Sequence, residues 1–241
     1  MSWDRNKLGR AAFAALLASA AASAAANVLV VRSAGPSARA YPAGRSLPDN
    51  ARIALQAGDT LVILGGTGTR TFRGPGTFSP NAAVRAGPTT LAASDGRRAR
   101  IGAVRNAGIV PRSPTIWHVD VTQSGTICLA GTSNVMLWRP DASVPTTLTI
   151  APPRGGQPRN LQWAAGQATL AWPSGTPIGS GGAYEFRQSG VAVPAQISFR
   201  ILATEPTDLQ AVAAALIANG CQEQLDVLVE TQPDQTAPAG G

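Results

Sequence analysis

The chain has 241 residues, of which 44% are hydrophobic and 14% are charged, and this balance excludes an intrinsically disordered protein. One histidine and two widely separated cysteines cannot form a tetrahedral zinc site, and the acidic residues lack the spacing of a calcium loop. The net charge of +7 is unevenly divided, because residues 27–113 carry +9 and residues 114–241 carry −4. This asymmetry predicts two structural units.

Residues 1–26 have the features of a secretory signal peptide. The segment opens with three cations: Arg5, Lys7 and Arg10. A charge-free, alanine-rich run of 21 residues starts at Ala11, and small residues near position 26 offer A-x-A-type cleavage sites. The same run is long enough to span a bilayer, so an uncleaved N-terminal anchor is the alternative. Both interpretations place the rest of the chain outside the cytoplasm, and we expect the periplasm.

Residues 27–84 predict a small β domain. Four segments have the β-branched or alternating character of strands: 28–32, 51–55, 60–64 and 69–73. Between the last two segments, the run Gly65-Gly66-Thr67-Gly68 predicts a hairpin turn. A phosphate-binding loop is excluded there, because the G-K-[ST] ending is missing and no helix is predicted to follow.

Two stretches of this unit resemble the FecR-type periplasmic domain. They are residues 55–61, L-Q-A-G-D-T-L, preceded by Leu47, and residues 70–76, R-T-F-R-G-P-G. In that family the L-x-x-G-D-x-L pattern opens a small all-β domain that relays envelope signals to a membrane or sigma-factor partner. FecR proteins carry a cytoplasmic anti-sigma segment and a membrane helix ahead of this domain, whereas only ten residues precede the apolar run here. The resemblance therefore implies the fold, and not sigma-factor control.

Residues 85–113 are interpreted as an arginine-rich linker that could include an extra strand or a short helix. Residues 114–203 then contain about seven or eight strand-like segments with regular turns, which suits a sandwich of immunoglobulin or fibronectin type. A hairpin is expected at Ala165-Gly166-Gln167, between strands at 161–163 and 168–172. The Trp172-Pro173 pair followed by Tyr184 resembles the Ig-like modules that often follow FecR-type domains.

Residues 204–231 change to a helical period. Thr207 and Gln210 are interpreted as a T-x-x-Q capping box, and Gly220 is placed to end the helix. The apolar residues of this helix share one stripe: Leu209, Val212, Ala213, Leu216 and Ile217. Residues 222–231 predict a second short helix, and residues 232–241 a loose tail. The predicted fold class is mainly β, with a FecR-like domain, an Ig/fibronectin-like sandwich and a short C-terminal helical segment.

Few side chains are candidates for chemistry. Cys128 and Cys221 are expected to form a disulfide in an oxidising compartment, and two buried thiols are the alternative. His118 is the sole histidine and shares a strand face with Asp120, but two positions along one strand lie about 7 Å apart, which is too far for a direct hydrogen bond. No catalytic residue, cofactor site or metal site is predicted.

Four tryptophans lie in the second unit: Trp117, Trp138, Trp163 and Trp172. Large aromatic side chains contribute most to stability when they are buried, so the favoured interpretation is sandwich core. An exposed platform for carbohydrate is the alternative.

The function expected from these features is that of a non-enzymatic, exported envelope protein that acts by protein–protein interaction, as an accessory to a membrane sensor or signalling system. The basic first unit, through Arg52, Arg70 and Arg73, is the candidate contact for an envelope or membrane protein. An alternative is a binder of anionic envelope polymer or glycan, and a third is a secreted hydrolase that would need His118. A nucleic-acid partner is not expected, and membrane contact is expected only through an uncleaved N-terminal segment.

Overall fold

A computed structural model describes residues 27–81 and 113–235 of the chain. Within these ranges the protein is mainly β, with four sheets and two α-helices near the C-terminus, which confirms the predicted mainly-β class with a short C-terminal helical segment. The predicted signal peptide, residues 85–112 of the predicted linker and residues 236–241 of the predicted tail lie outside the described residues.

The first unit contains two antiparallel sheets. Its strands are β1 (Asn27–Ala34), β2 (Ser46–Pro48), β3 (Ile53–Leu55), β4 (Thr60–Gly65), β5 (Gly68–Arg73) and β6 (Gly76–Phe78). The larger sheet has the order β2-β1-β4-β5, and β3 pairs with β6. The predicted hairpin is confirmed, because β4 and β5 are joined by a two-residue turn with Gly65 opposite Gly68. The short strands β2 and β6 had no clear sequence signal.

The four-stranded sheet is buried on both faces. On one face Val30 and Ile63 pack against Ile53 of β3. On the opposite face Leu29 and Leu64 join a cluster that contains both C-terminal helices. This double burial explains why β1 and β4 are almost continuously apolar instead of alternating.

The second unit is a β-sandwich. Its strands are β7 (His118–Asp120), β8 (Gly125–Leu129), β9 (Met136–Trp138), β10 (Thr146–Ala151), β11 (Arg159–Trp163), β12 (Thr169–Ala171), β13 (Ala183–Gln188) and β14 (Ala195–Ile201). A five-stranded sheet, β11-β10-β13-β14-β8, faces a three-stranded sheet, β12-β9-β7, across an apolar core. Each sheet contains one parallel pair, β14 with β8 and β7 with β9.

The hairpin predicted at Gly166 is wrong. β11 pairs with β10 in the larger sheet and β12 pairs with β9 in the smaller one, so the turn crosses between the two sheets. The buried guanidinium of Arg139 accounts for this path. It donates to the carbonyl oxygens of Ala164 (2.9 Å) and Gln167 (3.0 Å), and it stacks 5.3 Å from the ring of Trp163.

The two helices, α1 (Leu209–Ala218) and α2 (Gln222–Thr231), were both predicted, but the capping box was wrong. Asp208 caps α1 by accepting a hydrogen bond from the Ala211 N–H at 2.8 Å. The Gln210 amide instead donates to the carbonyl oxygens of Asn27 and Leu64, which attaches α1 to the first unit. Gly220 adopts φ +70° just beyond the helix, as its predicted role in ending α1 requires.

The start of the predicted loose tail is paired with β5. The Thr69 N–H donates to the Pro233 carbonyl at 3.0 Å, and the Gln235 N–H donates to the Thr69 carbonyl at 2.8 Å. A Cβ atom on Gly68 would lie 2.4 Å from the Pro233 oxygen, so this close approach needs glycine. The tail prediction is therefore corrected for residues 233–235.

Helix α2 is attached to β8 by a covalent bond and by one side chain. Cys128 and Cys221 form a disulfide with an S–S distance of 2.02 Å, as predicted, and both residues are fully buried. The buried Gln224 accepts from the Cys128 N–H at 2.6 Å and donates to the Cys128 carbonyl at 2.9 Å. These contacts satisfy the backbone N–H and carbonyl of Cys128 at the outer edge of its sheet, where another strand would otherwise pair.

We expect the Cys128→Ala/Cys221→Ala variant to lose about 4–5 kcal/mol of unfolding free energy, because the bond closes a long loop in the unfolded chain. The two cysteines are 93 positions apart. Urea unfolding followed by circular dichroism measures the loss. Reductant should lower the stability of the natural chain to that of the variant and leave the variant unchanged. Equal stability with and without reductant would contradict this assignment.

We expect Gly68→Ala to lower the unfolding free energy by about 2 kcal/mol, because Gly68 has φ +136° and the new methyl group would meet the Pro233 carbonyl. Gly66→Ala is the matched control in the same turn, since a Cβ there meets nothing within 4 Å. Its expected change is below about 0.5 kcal/mol. Thermal unfolding of both variants decides the matter, and equal losses would argue against a paired C-terminal segment.

Candidate functional site

The turn that contains Asp59 is a hydrogen-bonded corner. Its buried carboxylate accepts from the backbone N–H groups of Ser37 (2.9 Å) and Gln56 (2.5 Å). Burial raises the pKa of Asp59, but hydrogen bonds from the Ser37 side chain and from the two backbone N–H groups outweigh it, so the pKa lies below its ordinary value. A Cβ on Gly35 would lie 2.4 Å from the Asp59 carboxylate, so this corner needs glycine.

The two stretches that carry the FecR resemblance meet at this corner. The Gly74 N–H donates to the Asp59 carbonyl at 3.0 Å. A Cβ on Gly74 would lie 1.9 Å from the Gln56 carbonyl oxygen, so any larger residue would push the two turns apart. Asp59 of the first stretch and Gly74 of the second therefore have structural roles in this chain.

The three predicted contact arginines do not form one cluster. Arg70 is half-buried; its Nη1 donates to the Pro80 carbonyl, and its guanidinium lies 5.9 Å from the ring of Phe72. Arg52 lies at the same end of the β3–β6 pair as Pro80, whereas Arg73 lies near the opposite end. The structure thus brings Arg52 and Arg70 to one end and separates them from Arg73.

Arg52 and Arg73 are exposed, and neither side chain forms a hydrogen bond or ion pair with another described residue. Residues 27–81 contain six arginines and two aspartates. Of the other arginines in this range, Arg32 pairs with Asp226 of α2, and Arg45 lies 5.8 Å from the ring of Tyr41. Two of the three predicted contact residues, Arg52 and Arg73, are therefore exposed cations without a partner among the described residues.

Among the described residues, the side chains around His118 do not form a Ser-His-Asp triad. Its Nδ1 lies 2.8 Å from Thr115 Oγ1, and the Asp120 carboxylate accepts from the N–H and hydroxyl of Thr122. Burial lowers the pKa of His118 and raises the pKa of Asp120. The Ser113 hydroxyl donates to the Thr115 carbonyl. Each polar group is therefore engaged locally.

The four tryptophans of the second unit pack in or against the apolar clusters. Trp138 and Trp163 are buried, and Trp117 and Trp172 are partly buried against the two apolar clusters. None of the four is exposed, which favours the core interpretation over a flat carbohydrate platform.

Sequence reasoning missed a cleft of about 500 Å³ beside β11 and β13, lined by residues that include Arg159, Thr176 and Tyr184. The density of glycine and proline at residues 152–156 and 173–182 was the available signal, because it predicts tight loops. It could not indicate that the two loops face each other.

Among the residues that the structure describes, no three His, Cys, Asp or Glu side chains are grouped to hold a metal ion. No helix in residues 27–81 or 113–235 has the length and apolar character needed to cross a bilayer. The buried disulfide points to an oxidising, extracytoplasmic location. No family model, no curated protein and no solved structure matches this chain.

We expect Asp59→Asn to be less stable than the natural chain at pH 7. The Ser37 and Gln56 N–H groups donate to different carboxylate oxygens, and an amide replaces one of these oxygens with an NH₂ donor. The lowered pKa means that the carboxylate stabilises the fold above its unfolded pKa of about 3.9, and that this contribution disappears as pH falls through the folded pKa. Thermal unfolding from pH 7 to pH 2.5 should show the difference between the two proteins shrinking below about pH 4.

Asp49→Asn is the matched control, because the Asp49 side chain accepts no hydrogen bond from another described residue. Its effect on the melting temperature should be small. A stability difference for Asp59→Asn that stays constant across the whole pH range would refute the role given to the charged carboxylate.

Proposed function

We propose that this protein is a non-enzymatic, exported envelope protein, periplasmic in location, which acts by protein–protein interaction as an accessory to a membrane-bound sensor or signalling protein. The single observation that carries the proposal is that Arg52 and Arg73, near opposite ends of the β3–β6 pair, are both exposed and have no partner among the described residues. The FecR resemblance of residues 55–61 and 70–76 supports it by analogy.

The partner surface is acidic. Guanidinium groups bind carboxylates with two parallel hydrogen bonds and lose less hydration than an ammonium group, so arginine is well suited to protein interfaces. The second unit is itself acidic, with nine Asp and Glu against five Arg in residues 114–241. The contact face is therefore confined to the first unit. Arg70 supports this face through the hydrogen bond that it donates to the Pro80 carbonyl.

The second candidate is a binder of anionic envelope polymer, which the same arginines favour. Polymer binding by exposed charges is strongly weakened by salt, whereas a specific protein interface also has apolar and shape-dependent contacts that salt does not remove. Salt dependence therefore separates the two candidates.

We expect Arg52→Glu/Arg73→Glu to abolish crosslinking of the tagged protein to its membrane partner in intact cells, because charge reversal opposes an acidic surface. Arg200→Glu is the matched control: Arg200 is also exposed and unpaired among the described residues, but it lies in the acidic second unit. Mass spectrometry of the captured material provides the measurement, and circular dichroism confirms that both variants fold.

A single membrane protein captured by the natural chain and by Arg200→Glu, and lost in the double variant, supports the proposal. Recovery of wall or lipid polymer that dissociates in salt would replace it with the polymer-binding candidate. Equal capture by all three proteins would refute the contact face.

A further inference from the structure

The cleft beside β11 and β13 is formed by two facing loops. Residues 152–159 make one wall and residues 175–182 make the other, with a volume of about 500 Å³ between them. That volume lies within the range of small-molecule sites in proteins. Both walls are tightly packed: a Cβ on Gly156 would lie 2.7 Å from Pro152, and one on Gly182 would lie 2.6 Å from Pro153.

The second wall is held in place from the sandwich core. Trp172 Nε1 donates to the Thr176 carbonyl at 2.8 Å. The Tyr184 hydroxyl donates to the Pro177 carbonyl at 2.7 Å and accepts from the Gly179 N–H at 3.1 Å. The ring of Trp172 in turn meets that of Tyr184 edge to face, with centroids 5.6 Å apart. The loop is thus preorganised, which reduces the entropy cost of binding a ligand.

Two polar side chains of the cleft lack partners among the described residues. The side chains of Arg159 and Gln157 are exposed and form no hydrogen bond or ion pair within the described part of the chain.

We propose that this cleft binds a small ligand that carries a single carboxylate. Arg159 pairs with the carboxylate, and Gln157 forms hydrogen bonds with the polar atoms next to it. The prolines of both walls pack against the apolar part of the ligand. This site is distinct from the arginine face of the first unit, and the proposal does not depend on the function proposed above.

The charge of the cleft selects this ligand class. Arg159 is the one charged side chain among the described residues that line it, so a cation finds no counter-charge there. The planar guanidinium of Arg159 matches the planar geometry of a carboxylate, with which it can form two parallel hydrogen bonds. A peptide C-terminus and a sugar acid share this chemistry.

The test is titration of the isotope-labelled, mature protein followed by NMR chemical shifts. The probes are an N-acetylated alanine tripeptide, its C-terminal amide, glucuronate and glucose. We expect saturable shifts at Gly156, Gly175 and Gly179 with at least one of the two acids, and none with its neutral counterpart. Binding of the peptide alone, of glucuronate alone or of both identifies the source and supports the site in each case.

Two variants test whether individual side chains of the cleft contribute to ligand binding. Arg159→Gln should weaken binding by about tenfold or more, and Gln157→Ala by about fivefold. Both side chains are exposed, so neither substitution should change the melting temperature, whereas a structural role would lower it. Arg39→Gln is the matched control, an exposed arginine of the first unit whose loss should not change affinity.

Absence of saturable shifts with both acids would overturn the proposal. So would shifts that map outside the cleft, or undiminished affinity in Arg159→Gln. None of these results bears on capture through Arg52 and Arg73, so the two proposals stand or fall separately.

Discussion

The structure depends on the attachment of α2 to the outer edge of β8. The Cys128–Cys221 bond and the Gln224 amide fix the helix there, and α2 then covers apolar side chains from both β units. Leu29 of the first unit and Leu202 of the second belong to the same buried cluster as the helices. The helices are thus a shared core element, and neither unit has its full apolar surface covered without them.

Local chemistry predicted much of the fold, because several elements are specified by adjacent residues. The apolar run of β4 and the Gly65–Gly68 turn are examples, and Gly220 after α1 is another. Interactions that join distant residues had no such signal. Gln224 is a polar residue of the second predicted helix, and only its hydrogen bonds with the Cys128 backbone explain its burial. Asp208 caps α1 in place of the predicted capping box, because the Gln210 amide that the box requires instead donates a hydrogen bond to the first unit.

The candidate sites likewise contain some features that the sequence predicts and others that depend on contacts between distant residues. Exposure of Arg52 and Arg73 follows from their positions at strand ends, and could be predicted. The engagement of Arg70 could not, because its acceptor, the Pro80 carbonyl, is brought near by the pairing of β3 with β6. The cleft beside β11 and β13 escaped prediction for the same reason, since it exists only where two separate loops face each other.

The pairing of Thr69 with residues 233–235 has a consequence for the order of events during synthesis. The strands of the first sheet leave the ribosome before the second unit, but the helices that cover one face, and the segment that pairs with its edge, are made after it. Contacts of such long sequence separation form slowly, since a large loop must close first. The nascent chain therefore exposes an apolar sheet face until the helices have been made, which makes it a natural client for chaperones that hold unfolded chains.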